Sequence, residues 1–358
     1  MSCFHRRANN RRANNRRETR QHMTQPVAPV APDAPTPQHS RLYHLEPAGL
    51  NSPLVESLVS YMSRLAAEHG VPPTQFIAQE IAPLVNKRYS MTLDAGLRFL
   101  ADARHALALC GSGPIAAEWI AGLERLTGWD SLAPLTLIHL NRFVSTRTPD
   151  TLRRERAWCP QCISKWREED AIPYTPLIWM IREVTRCPVH HIPLMTQCPN
   201  ASCGKTATWR IGHYHQTLCV RCDTWLGQSD PAPEPEPVFS SLGKVAALSA
   251  KVPAQANEEH VADRDVIQHS ETVGALLRMT QHQAAAVASQ LAQQLSEQIS
   301  TLSSQRLKRL HRQTGMTCQM AQAWGHGTYR PTLRQFLGIC RILEVSIPGF
   351  LNLSEGKR

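Results

Sequence analysis

Four closely spaced pairs of metal-ligand residues constrain this chain more than any other feature. They lie within residues 159–222 and are Cys159 with Cys162, Cys187 with His190, Cys198 with Cys203, and Cys219 with Cys222. A short turn between two such residues lets both side chains reach one tetrahedral ion. Paired cysteines in a chain without a secretory signal favour metal binding over disulfides.

The simplest arrangement joins each pair to its neighbour in the sequence. One site then takes Cys159, Cys162, Cys187 and His190, and a second site takes Cys198, Cys203, Cys219 and Cys222. Four protein ligands leave no open position for water, so we expect two structural Zn²⁺ ions and no catalytic one. His191 is an alternative to His190, although the C-x-x-H spacing favours His190.

Residues 151–227, which hold these pairs, are also rich in tryptophan and open with a basic stretch. Five of the eight tryptophans lie here, and we expect most of them to cover the metal sites. Arg153, Arg154 and Arg156 precede the first pair. Two interpretations stay open for these arginines, contact with phosphate or a solvated basic face.

The basic character of the ordered chain is concentrated at its C-terminal end. The net charge is +10, and residues 301–358 carry nine basic and two acidic side chains. Residues 301–353 show helical apolar spacing, with Gly315 in a short turn and Thr317 as a helix N-cap. This spacing predicts a helix-turn-helix-like unit, whose second short helix would enter the major groove of DNA.

The candidate DNA contacts follow from that prediction. Gln319 and Gln322 lie near the start of the second short helix and could pair with adenine edges. The basic side chains would contact phosphates; they are Lys308, Arg309, Arg312, Arg330 and Arg334. A small helical bundle that binds protein is the alternative interpretation.

Composition divides the chain into five parts and predicts a mainly α, multidomain protein. These parts are a disordered basic and Pro/Ala-rich tail (1–40), an N-terminal helical region (41–150), tandem zinc modules with short β-hairpins (151–227), an acidic Pro-rich linker (228–264) and a C-terminal helical domain (265–358). The arginine repeat at the start is either a nucleic-acid tail or sequence upstream of a start at Met23.

Within the N-terminal region, two helices have clear end signals. Ser52 and Pro53 predict the start of a helix that ends at Gly70, and Gly128 predicts the end of another. No apolar run approaches the ~18 residues that a membrane helix needs. We therefore expect a cytoplasmic protein with no membrane partner.

Together these motifs resemble the TniQ family of transposon target-selection proteins, which includes the larger TnsD proteins. The resemblance spans about 41–353 and rests on the zinc pairs, on the segment ESLVSYMSRLAAEHGVPPTQFI and on the phrase LTGWDSLAPLTL. It implies that the eight paired residues are zinc ligands. The family more often has H-G after C-P-x where this chain has H-H, which leaves the choice between His190 and His191 open.

The resemblance also implies a function. TniQ-like proteins are non-enzymatic adaptors that couple a DNA site or an RNA-guided CRISPR effector complex to an AAA+ ATPase regulator of the transposase, and some act as homodimers. A zinc-containing helix-turn-helix transcription regulator is the alternative. An enzyme would need clustered carboxylates or an open zinc site, and the adjacent carboxylates Glu168, Glu169 and Asp170 are better explained as a solvated turn.

Overall fold

The computed structural model describes residues 40–85, 103–145, 151–206, 209, 216–227, 255–279, 281–342, 344–345 and 347. The predicted tail lies outside these residues apart from Ser40, and residues 228–254 of the predicted linker also lie outside them. The rest of that linker falls within a helix that begins at Gln255.

The described chain is mainly helical, as the sequence predicts. Its α-helices are α1 (Leu58–Glu68), α2 (Pro73–Phe76), α3 (Ala103–Cys110), α4 (Pro114–Thr127), α5 (Pro160–Glu168), α6 (Gln255–Arg278), α7 (Gln281–Ser300), α8 (Ser304–Thr314), α9 (Cys318–Gly325) and α10 (Leu333–Ile342). A π-helical turn (Ile77–Ile81) extends α2, and short 3-10 turns include Leu177–Met180.

The helix that the sequence places at Ser52 begins later, at Leu58. Residues just before α1 are extended because they pair with another segment of the chain. Ser57 N–H donates to the Thr175 carbonyl at 2.9 Å, and Leu177 N–H donates to the Val55 carbonyl at 2.8 Å. Long-range backbone bonds therefore replace the first predicted helical turn.

The end signal of α4 is confirmed. Gly128 adopts a left-handed backbone (φ 74°) and its N–H bonds to the Glu124 carbonyl at 2.8 Å, which closes the helix. The apolar face of α4 includes the fully buried side chains of Trp119 and Leu123. Leu58, Met62 and Leu65 of α1 are buried in the same hydrophobic core.

Residues 151–227 contain metal-ligand turns joined by isolated β-bridges. Trp158 pairs with Met195, Gln197 with Thr206, and Leu218 with Trp225. Among the described residues each bridge is one residue pair long, so the short β-hairpins stay a prediction.

The C-terminal helices pack on the N-terminal helical region. Ser145 N–H donates to the Pro331 carbonyl at 2.7 Å, and the rings of Phe143 and Phe336 lie 6.3 Å apart. Gly274 of α6 lies so close to the N-terminal region that an added Cβ would be 2.7 Å from a Pro53 carbon. Residues 39–358 accordingly form one unit.

None of the described helices is by itself long and apolar enough to cross a membrane. One pair, Arg104–Cys110 with Pro114–Thr127, meets the length and composition test only jointly and is bent by 69°.

Candidate metal centres and nucleic-acid surface

The first four predicted ligands form one cluster. Cys159 is the N-cap of α5, Pro160 occupies the first helical position, and the Cys162 N–H points at the Cys159 sulfur with an N–S distance of 3.5 Å. The beginning of a helix thus directs both thiols to one point, and the backbone N–H stabilises negative charge on sulfur.

A tight turn supplies the other two ligands of this cluster. Cys187 N–H donates to the Ile192 carbonyl and His191 N–H donates to the Cys187 carbonyl, each at 2.9 Å. His191 closes the turn with a left-handed backbone (φ 56°) and its side chain is exposed. The turn therefore directs His190, and not His191, towards the cysteines.

The distances in the first cluster fit a tetrahedral zinc ion. The sulfurs of Cys162 and Cys187 are 3.7 Å apart, and His190 Nδ1 lies 3.3 Å from the Cys162 sulfur and 3.5 Å from the Cys159 sulfur. Zn–S bonds of about 2.3 Å and Zn–N bonds of about 2.0 Å in a tetrahedron give S–S and S–N separations of about 3.8 and 3.5 Å. Three thiols and an imidazole are also ligands that zinc prefers.

The second four predicted ligands form a separate cluster of four thiols. All of their sulfurs lie within 4.8 Å of one another, and the sulfurs of Cys198 and Cys222 are 3.6 Å apart. The Cys219 turn repeats the Cys187 turn: Cys219 N–H donates to the Thr224 carbonyl at 2.8 Å, and Asp223 N–H donates to the Cys219 carbonyl at 3.0 Å. This donor set also fits zinc.

In three of the four ligand pairs, the residue directly after the second ligand has the same left-handed backbone conformation. His191, Gly204 and Asp223 have φ values of 56°, 48° and 54°. A left-handed residue at this point reverses the chain directly after the ligand, which leaves room for the ion beneath the turn. Glycine takes this conformation at the lowest cost, so His191 and Asp223 carry a backbone cost that Gly204 does not.

Hydrogen bonds and burial set the protonation of the clustered thiols. Hydrogen bonds from Cys159 and Cys162 lower the pKa of Cys187, whereas the bonds of Cys162 to Cys159 and Cys187 raise the pKa of Cys162. In the second cluster the Thr224 hydroxyl lies 3.2 Å from the Cys222 sulfur and lowers the pKa of Cys222 to about 6. A divalent ion favours the thiolate at every position, so zinc binding would release the remaining protons.

A comparison with protein families finds a match, which includes the first metal cluster. Residues 47–194 match the family model described as TniQ. This stretch of the chain is similar to the TniQ family. The matched stretch contains the N-terminal helices and the whole first cluster, and it ends before the second cluster at Cys198. No curated protein matches the chain.

Two of the arginines before the first metal pair are structural. Arg153 is 8% exposed and Arg156 is 6% exposed. Arg153 donates to the carbonyls of Ile181 at 2.8 Å and Arg182 at 3.1 Å. Neither a phosphate contact nor a solvated face therefore applies to these two residues, whereas Arg154 is exposed.

Most of the tryptophans of this region are buried or partly buried, while their role in covering the metal sites stays a prediction. Trp158, Trp179 and Trp209 are buried, and Trp158 donates its indole N–H to the Leu226 carbonyl at 3.0 Å. Trp225 is partly buried, with the guanidinium carbon of Arg167 lying 5.0 Å from its ring centre.

The predicted DNA contacts all lie at the surface of the C-terminal helices. Every one of the seven side chains is exposed: Lys308, Arg309 and Arg312 on α8, Gln319 and Gln322 on α9, Arg330 in the following loop, and Arg334 on α10. The structure brings some of them together. Lys308 and Arg312 line a cleft of about 610 Å³ at the beginning of α9, with Met316 and Thr317.

Sequence reasoning missed one residue of this surface, and one of the predicted residues lies elsewhere. His311 lines the same cleft as Lys308, and its position one turn from Lys308 in a basic helix was the available signal. Arg330 lines a different cavity, of about 730 Å³, with Trp324 and His326. Arg330 is therefore placed on another part of the surface from the Lys308 cleft.

Proposed function

We propose that this protein is a non-enzymatic target-selection adaptor of a transposon. It binds target DNA or a CRISPR effector complex and recruits an AAA+ ATPase regulator of the transposase. The TniQ domain at residues 47–194 carries this proposal, because it indicates a transposition-associated, DNA-binding adaptor role.

The C-terminal helices supply the DNA-binding part of the adaptor. Gly315 ends α8 in a left-handed conformation (φ 68°), and the Thr317 hydroxyl caps α9 by accepting the Met320 N–H at 3.2 Å. Two helices joined by so short a turn have the connection of a helix-turn-helix. The exposed side chains of Gln319 and Gln322 lie three residues apart, so they share one face of α9 and could read base edges.

The position of this unit supports a coupling role. The bond from Ser145 to Pro331 and the contact between Phe143 and Phe336 fix α10 on the N-terminal region. The rings of Trp324 and Phe336 pack edge to face with their centres 5.9 Å apart, which holds α9 against α10. DNA bound by α8 and α9 would therefore be held in a defined orientation relative to the TniQ domain.

The metal clusters would stabilise the region between these parts. Each cluster has four protein ligands, so zinc bound there would serve the fold, on the order of 10 kcal/mol per site. A rigid zinc region gives the adaptor a fixed surface for the ATPase.

The test measures DNA binding against salt concentration. Alanine at Lys308, Arg309, Arg312 and Arg334 removes four cations from the proposed DNA surface. Each lost phosphate contact reduces the salt slope by about 0.9, so we expect a reduction of up to about 3.6 with a large loss of affinity at low salt.

The matched control replaces four exposed arginines of other elements, Arg125, Arg154, Arg221 and Arg278, by alanine. This control lowers the net charge by the same amount and should leave most of the salt dependence of DNA binding unchanged. Equal slopes in the two quadruple variants would show that α8 and α10 do not form the DNA surface. Binding of an AAA+ ATPase encoded beside the gene distinguishes the adaptor from a transcription regulator, which needs no such partner.

A further inference from the structure

Arg156 links the two candidate metal centres. It lies three residues before Cys159, a ligand of the first cluster. Its side chain contacts residues just before Cys219, a ligand of the second cluster. Its Nη1 donates to the Leu218 carbonyl at 3.1 Å, and its Nη2 donates to the Gln216 carbonyl. Leu218 directly precedes the ligand Cys219.

A second contact holds the other end of the same turn. Leu226 follows the Cys219–Cys222 turn, and its carbonyl accepts the Trp158 indole N–H at 3.0 Å. Leu226 N–H donates to the Thr217 carbonyl at 2.9 Å, which closes the base of the turn. Residues 156–158 therefore hold both ends of the turn that presents two of the four thiols.

The charge of Arg156 also suits the second cluster. Zinc bound by four thiolates has a net charge of −2, which is costly beside a hydrophobic core unless a cation compensates it. Arg156 is almost fully buried. Burial lowers its pKa to about 10, so it stays charged at neutral pH, and it interacts electrostatically with Cys219.

We propose that Arg156 is the positioning residue of the four-cysteine centre and makes the two centres bind zinc cooperatively. Zinc in the first centre would fix Cys159 at the start of α5 and thereby fix the nearby Arg156. The ordered guanidinium then holds the Cys219 turn ready for the second ion. Because coupling between two binding sites is reciprocal, each ion raises the affinity of the other centre by the same factor.

The proposal rests on both clusters binding zinc, and cobalt is the probe that separates them. Zinc-free, full-length protein is titrated with Co²⁺ against a competing chelator. Three thiolates with one imidazole, and four thiolates, give different visible spectra, so each centre is followed separately. In the wild-type protein we expect two equivalents bound with positive cooperativity.

Substitution of Arg156 should weaken the four-cysteine centre directly and remove the coupling between the two centres. R156M keeps a long, unbranched side chain but removes the charge and the hydrogen-bond donors. It should weaken cobalt binding at the four-cysteine centre by about 10- to 100-fold. R156K retains the charge and should recover part of that loss. R154M, which changes an exposed neighbour, should bind as the wild type does.

The reciprocal measurement removes the first centre with C159S and C162S together. Cobalt affinity at the four-cysteine centre should fall in the wild-type background and should not fall further in R156M. If circular dichroism shows that R156M does not fold, the cobalt titration is done instead with R156K and with the C159S and C162S double variant. Equal four-cysteine affinities in R156K and R154M, or no effect of the cysteine pair, would overturn the coupling. A wild-type stoichiometry below two would instead overturn the zinc assignment on which it rests.

Discussion

Replacing His191 by glycine should stabilise the protein without loss of metal. His191 closes the Cys187 turn at φ 56°, a backbone conformation that costs a residue with a side chain roughly 1–2 kcal/mol. Its side chain is exposed. The His191 N–H donates to the Cys187 carbonyl, and the Arg186 guanidinium donates to the His191 carbonyl, so neither bond involves a side-chain atom of His191.

The expected gain is smaller than the full conformational cost. Glycine increases the conformational entropy of the unfolded chain, which offsets about 0.4–1 kcal/mol. The net gain for H191G is then about 0.5–1 kcal/mol in the free energy of unfolding. Urea denaturation of the zinc-loaded protein measures this value, and metal analysis of the same sample checks that two equivalents remain.

Matched variants separate backbone strain from other causes. D223G makes the same change in the Cys219 turn and should give a smaller gain, because the short polar side chain of aspartate can hydrogen-bond locally and so lowers the cost of φ 54°. V189G, in the same turn as His191 but without a positive φ, should destabilise. H190A should lose the ion of the first centre. If H191G loses an equivalent of zinc, or if H190A retains both, the ligand assignment is wrong.

Two further predictions concern the core. Burial lowers the pKa of His139 to about 4 from the usual 6.5. The unfolded chain therefore takes up a proton first, and His139 destabilises the fold as the pH falls from about 6.5 towards 4, by up to about 1.4 kcal/mol per pH unit. H139F should flatten this part of the pH–stability curve relative to wild type, measured by urea denaturation; parallel curves would contradict the assignment. G274A should cost about 1–3 kcal/mol because the new Cβ would meet Pro53. G113A has open space around the new Cβ and should cost only about 0.5–1 kcal/mol, because alanine is a poorer helix N-cap than glycine. Equal unfolding midpoints for G274A and wild type would show that α6 does not pack tightly on the N-terminal region.

The metal clusters were predictable from the sequence because their ligands are local pairs. A two-residue spacing in C-P-Q-C or C-P-V-H already brings two ligands together, and the four pairs join in sequence order. The choice between His190 and His191 was not predictable in this way. The left-handed backbone at His191 decides it, by directing one imidazole towards the cysteines and the other to solvent.

The roles of the arginines before Cys159 depended on contacts that local sequence does not show. Arg153, Arg154 and Arg156 look alike as a basic stretch, yet the first and last are buried and bonded to carbonyls far along the chain. The start of α1 differs from its prediction for the same reason. Ser52 and Pro53 are good start signals, but the pairing of residues 55–57 with 175–177 keeps the chain extended to Leu58.

The sequence by itself therefore determined which side chains could bind metal, where several helices end and where positive charge accumulates. These properties depend on residues a few positions apart, whose geometry the covalent chain restricts. Only the tertiary structure decided which arginines are buried, how the two clusters are joined and how α8–α10 are held on the N-terminal helical region. Those features depend on contacts between residues tens to hundreds of positions apart, and packing of the whole core selects among the many contacts that the local sequence permits.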